Sequence, residues 1–168
     1  MRTILAIVLM TIATAALAAD PGTRAPVKPS TTQQPPPADP AVMRQGGDTI
    51  EDAVVLEFVW GYDGTGTTVG YTDDYDEVCP YSQSTSPDVV YAIQFSGRPV
   101  AWEISTHGSD YDTKIYVYDE DLALVDCNDD FWPDYTSAIW LDQPAPGLYY
   151  LVIDGYGGDA GQYELHIT

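Results

Sequence analysis

The chain has 168 residues, of which 26 are acidic and only 6 basic, for a formal net charge of −20 at pH 7. Beyond residue 46 the only basic residues are Arg98 and Lys114, so the negative excess falls on that part of the chain. Such a surface excludes nucleic acid and anionic membranes as partners, because both need a basic face, and it suits cation binding.

Residues 1–18 read as a secretory signal peptide: Arg2 gives a positive start, Ile4 to Met10 an apolar run, and Ala16-Leu17-Ala18 a small-x-small cleavage site. The apolar run is too short, and too diluted by Thr and Ala, for a membrane span of about 20 residues. No Cys follows the small residues, so no lipid anchor is expected there, and no membrane insertion is expected after cleavage. Residues 19–46 are rich in Pro, Thr and Gln and nearly free of large apolar side chains. That composition cannot offset chain entropy by burial, so it predicts a disordered or polyproline-like linker. The expected location is secreted, periplasmic or at the cell surface.

Residues 47–168 form one domain of ordinary size. Period-two alternation recurs and helical periodicity does not. Strands are predicted at Val54–Val59, Thr67–Tyr71, Val89–Phe95, Val100–Ser105, Ile115–Tyr118, Ala123–Cys127, Ala138–Leu141, Tyr149–Ile153 and Tyr163–Ile167. Turn signals separate them at Asp63-Gly64, Ser96-Gly97, Asp119-Glu120-Asp121, Pro146-Gly147 and Asp154-Gly155. Residues 48–53 suit either one helical turn or a short lead-in. Eight or nine short strands at this spacing predict an all-β fold, an antiparallel β-sandwich of jelly-roll-like class. The segment Tyr149–Ile153, apolar or aromatic on both faces, belongs in the middle of a sheet.

Cys79 and Cys127 are the only cysteines. In an exported chain an even pair predicts a disulfide, which for a loop of about 50 residues is worth roughly 4 kcal/mol in the chain-entropy account. Two cysteines and two distant histidines do not make a zinc site.

The residues also resemble a known family. The segments GDTIEDAVVL (Gly47–Leu56), GTTVGYTDDYDEVC (Gly66–Cys79), SPDVVYAIQF (Ser86–Phe95), SDYDTKIYVYD (Ser109–Asp119), CNDD (Cys127–Asp130) and GLYYLVIDGYGGDAGQYELHIT (Gly147–Thr168) are, in order and spacing, similar to the bacterial pre-peptidase C-terminal domain. The resemblance implies a non-catalytic β-sandwich of the kind appended to exported enzymes and similar to the collagen-binding domains of collagenases. Some relatives bind calcium or polymeric substrate. A free-standing binding or accessory module is expected, with an extracellular protein or a polysaccharide as partner; the other readings are a carbohydrate-binding module and a structural cell-envelope protein.

Three constellations are candidates for chemistry. Asp110, Asp112, Asp126, Asn128, Asp129 and Asp130 bracket a predicted hairpin, and calcium takes six to eight hard oxygens from such groups. The spacing is not an EF-hand loop, and Asp and Asn also cap turns through their own backbone. A second acidic set, Asp48, Glu51, Asp52 and Asp88 with Asp73, Asp74 and Asp76 nearby, lies where the resemblance places calcium, between linker and sandwich. The third is aromatic: Phe131, Trp132 and Tyr135 in one loop suit sugar stacking or protein contact. No enzyme is expected. The two histidines, His107 and His166, lack a nucleophile partner pattern, and the GYGGDAG run lies between strands rather than opening a helix.

Overall fold

The computed structural model describes residues 45–56, 60–80, 84–98, 100–131 and 135–168. The strands are β1 (Val54–Leu56), β2 (Tyr62–Thr67), β3 (Val89–Phe95), β4 (Ala101–Ser105), β5 (Thr113–Tyr118), β6 (Leu124–Asn128), β7 (Ala138–Asp142), β8 (Gly147–Gly155) and β9 (Gln162–Ile167). They build a five-stranded sheet in the order β1-β3-β8-β5-β6 and a four-stranded sheet in the order β2-β9-β4-β7. Every pairing is antiparallel except that of β1 with β3. The expected all-β sandwich is present, β8 lies at the centre of its sheet, and Ile50–Asp52 forms one 3-10 turn.

Alternation explains how the layers meet. Odd-numbered positions of β3, β5 and β8, including Tyr91, Ile93, Ile115, Val117, Leu151 and Ile153, face Ile104, Ile139, Leu141, Tyr163, Leu165 and Ile167 of the other sheet in one core. Tyr91 and Tyr163 bridge the layers edge to face, with their hydroxyls 2.7 Å apart. The even-numbered positions make a second, smaller cluster on the outer face: Val90, Tyr116, Tyr118 and Val152 pack beneath Tyr75 and Cys79. The described parts of the connection from β2 to β3, residues 68–80 and 84–88, thus cover the outside of the five-stranded sheet. Cys79 is fastened from this cover to Cys127 of β6 by the expected disulfide, with the Cα atoms 6.0 Å apart.

The one displaced strand is β2. It spans Tyr62–Thr67, where a turn at Asp63-Gly64 and a strand over Thr67–Tyr71 were expected. Its glycines are packing features: a Cβ on Gly64 would lie 2.3 Å from the Tyr62 hydroxyl, and one on Gly66 would lie 2.2 Å from that of Tyr163. Glycine in a strand commonly marks such close approach, and here it mimicked a turn signal.

The start of the described chain is stitched to both sheets. Gln45 pairs with the backbone of Thr67 in both directions, its amide donating at 2.6 Å and its carbonyl accepting at 2.8 Å. Two residues on, Gly47 exchanges two backbone hydrogen bonds with Val90, at 2.9 and 2.8 Å.

Candidate functional site

The register of the β5–β6 hairpin builds an acidic mouth. Ile115 lies opposite Asn128, so Asp112 just before β5 and Asp129-Asp130 just after β6 come to the same open end. The turn between β8 and β9 joins them, since Thr113 lies opposite Gly155 and the Tyr156 N–H donates to the Asp112 carbonyl at 3.0 Å. Ser109, Asp110, Tyr111, Asp112, Tyr135 and Asp159 line an open depression of about 430 Å³ at this end. Asp110 is part of its wall: its Oδ1 accepts the Gln162 N–H at 2.7 Å.

Two expected ligands stand apart from the mouth. Asp126 lies further along β6, opposite Val117, and its Oδ1 accepts the Cys127 N–H. Asn128 ties β6 to β7, accepting the Ala138 N–H at 3.0 Å and donating to the Asp130 carbonyl. Asp159, which completes the wall, was hidden in the glycine-rich hairpin loop and could be placed only by the β5–β8 register.

Two oxygens of this mouth, Asp112 Oδ1 and Asp129 Oδ1, are buried with no hydrogen-bond partner. Burying a carboxylate oxygen unsatisfied is costly. Burial raises the Asp112 carboxyl to about 6, and the charges of Asp130 and Asp159 push the same way. Asp129 is also raised to about 6 by burial, with Asp130 and Asp112 adding and Lys114 opposing. Among the described residues no three His, Cys, Asp or Glu side chains already stand as a metal-ligand set. In kind, however, the donors fit a hard cation: carboxylate oxygens, two of them unsatisfied, in a field of like charge.

The second acidic set is used mainly to shape backbone. Asp52 caps the 3-10 turn by accepting the Thr49 N–H at 2.8 Å. Asp48 accepts the N–H and hydroxyl of Thr72 at 2.9 and 2.8 Å, and Glu51 is exposed. Asp88 is fully buried; its Oδ2 accepts the N–H groups of Asp74 and Tyr75, while its Oδ1 has no partner.

Asp88 belongs to a polar network beneath the 68–88 cover, which the sequence reading did not anticipate. Asp154, expected in a turn with Gly155, is fully buried in β8 and accepts the hydroxyls of Ser84 at 2.9 Å and Tyr116 at 2.6 Å. Burial raises Asp154 to about 7 against the opposing effects of these bonds and of Lys114, and it raises Asp88 well above the ordinary carboxylate range, with Asp154 adding repulsion. The charged and titratable groups acting on the pair are Asp74 on Asp88, and Tyr116 and Lys114 on Asp154. Because both folded-state values lie above the unfolded value near 3.9, the native chain keeps protons that the unfolded chain releases. Stability is therefore expected to fall as pH rises from about 4 through about 7, the opposite of a salt-bridged Asp. Thermal melts across that window check the sign; a Tm rising with pH would contradict it, and Asp154→Asn should flatten the slope.

The chain is similar in fold to the pre-peptidase C-terminal domain of a collagenase from Bacillus anthracis. The alignment covers 68% of this chain and 91% of the collagenase domain, with 14% identity and a TM-score of 0.45. This is the domain type that the sequence resembles. No family model matches the chain. No curated protein matches it.

The remaining candidates are the histidines and the aromatic loop. His166 Nδ1 is 2.7 Å from the Asp63 carboxylate, and its Nε2 donates to the His107 carbonyl at 3.1 Å. The Asp63 hydrogen bond is the main cause that holds the pKa of this ring above its ordinary value. His107 Nδ1 is 2.9 Å from the Thr136 hydroxyl. Of the aromatic loop, Phe131 and Tyr135 are exposed, and Trp132 lies outside the described residues. The structure adds Trp140, the outward residue of β7 between inward Ile139 and Leu141; strict alternation would have found it.

Proposed function

We propose that this chain is a non-catalytic binding module working outside the cytoplasm, and that its acidic mouth takes up one calcium ion. The observation carrying the calcium assignment is the pair of buried, unpartnered oxygens, Asp112 Oδ1 and Asp129 Oδ1, at one end of one hairpin. Asp130 and Asp159 add negative charge there, and water would complete the six to eight oxygens that calcium takes. The export-type N-terminus and the disulfide support an extracytoplasmic site of action. The engagement of both histidines in structural hydrogen bonds supports a role in binding rather than turnover.

The test is thermal unfolding of the full chain with chelator and with millimolar calcium. An ion bound only by the folded state stabilises by about 2.7 kcal/mol at a hundredfold excess over Kd, so Tm should rise by several degrees. Asp112→Asn combined with Asp129→Asn should abolish that rise while leaving the calcium-free protein at least as stable, since the substitution removes repulsion. Identical wild-type melts in both buffers would sink the calcium assignment.

A further inference from the structure

We infer that the outer face of β7 is a sugar-binding platform, made by Trp140, Phe131 and His107, for a single chain of a neutral hexose polysaccharide. The inference supplies the proposed binding module with a ligand class, and it uses none of the carboxylates assigned to calcium.

The platform starts from strand geometry. Ile139 and Leu141 point into the core, which forces Trp140 outward, opposite Glu103 of β4. Its indole N–H donates to Glu103 Oε2 at 3.2 Å, which fixes the ring edge while 47% of the residue stays exposed. Phe131, 39% exposed, meets Trp140 with ring centroids 5.1 Å apart, and it also meets His107 at 5.4 Å. Each of the three is held in place: Phe131 by a backbone bridge to Thr136, His107 by its contact with the Thr136 hydroxyl, Trp140 by Glu103. Rings already fixed in this way lose little side-chain freedom when a ligand settles on them.

The chemistry of the patch selects the occupant. Half-exposed aromatic faces attract a flat apolar surface, while polar groups alongside fix its orientation. A hexose ring has both parts, a C–H face for the indole and phenyl and hydroxyls for Glu103 and the His107 imidazole. The nearby carboxylates, Glu103 and Asp142 in a chain of net charge −20, turn away sulfated or phosphorylated polymers. A stable protein partner would need about 800 Å² on each side with an uncharged centre, whereas this patch is three rings wide with an acidic rim. Successive rings are tilted by 59° and 51°, so they share no plane. A crystalline polysaccharide surface needs coplanar rings; a single twisted chain can follow these tilts.

Native gel electrophoresis of the full chain in gels containing barley mixed-linkage β-glucan, galactomannan or glucomannan tests the inference, with heparin gels and sedimentation with crystalline cellulose as the other arms. At least one of the three neutral polymers should retard the protein, and neither heparin nor cellulose should bind it. Trp140→Ala should weaken retardation at least tenfold with an unchanged melting curve; if that variant does not fold, Phe131→Ala decides by the same criterion. The Asp112→Asn, Asp129→Asn chain should be retarded like wild type, so a failed calcium melt and a failed platform give different results. Migration unaffected by all three neutral polymers, equal retardation of folded Trp140→Ala, or binding only to heparin or cellulose would overturn the platform.

Discussion

Lys114→Met is expected to lower stability by about 3–5 kcal/mol, the range for removing one partner from a buried charge network. Lys114 lies on the outer face of β5, fully buried, and its Nζ donates to the Glu77 carbonyl at 2.7 Å and lies 3.7 Å from Asp76 Oδ1. The same charge favours the ionised forms of Glu77, Asp129 and Asp154. It is thus the counter-charge for both the acidic mouth and the network under the 68–88 cover. Methionine preserves much of the side-chain stem, so the loss reports charge more than volume. Denaturant melts should show a lower midpoint at unchanged slope. The deficit should also be larger at pH 7 than at pH 4, because protonated carboxyls need no counter-charge. A loss below about 1 kcal/mol at pH 7 would contradict the counter-charge role.

Replacing Cys79 and Cys127 together by alanine is expected to cost about 4 kcal/mol, from the freedom restored to an unfolded chain no longer closed over 48 residues. Among its described residues the cover contains no regular strand, and they are held by this covalent link, by the Lys114 and Asp154 hydrogen bonds, and by Tyr75 against the sheet. Hydrogen exchange in the double variant should therefore rise first over residues 72–80 and 84–88, with β3 and β8 still protected. Uniform protection with an unchanged unfolding midpoint would show that packing alone secures the cover.

The architecture was legible because alternation is a local signal. Inward Ile115, Val117, Leu151 and Ile153 stand where period two places them, and the exceptions have identifiable causes. Gly64 and Gly66 look like turn formers, yet they are spaces left for tyrosine rings within β2. Asp154 looks like a solvated strand end, but a long connection folds over its face and buries it, and nothing near residue 154 in sequence announces that cover. The acidic mouth was half legible. The sequence set six acidic and amide residues around one hairpin, but only the observed register brings Asp112, Asp129 and Asp130 to its open end, while Asp126 lies opposite Val117 and Asn128 is bonded to β7. Asp159 reaches the mouth from another hairpin, through pairing of β5 with β8 across a long stretch of sequence.

The double stitch at the start of the described chain has a mechanical side. Gln45 grips β2 of one sheet and, two residues later, Gly47 grips β3 of the other. A pull on this end therefore meets the edge strand β2 of one layer first and then β3, inside the other. An end fastened to both layers in this way resists their separation at that point.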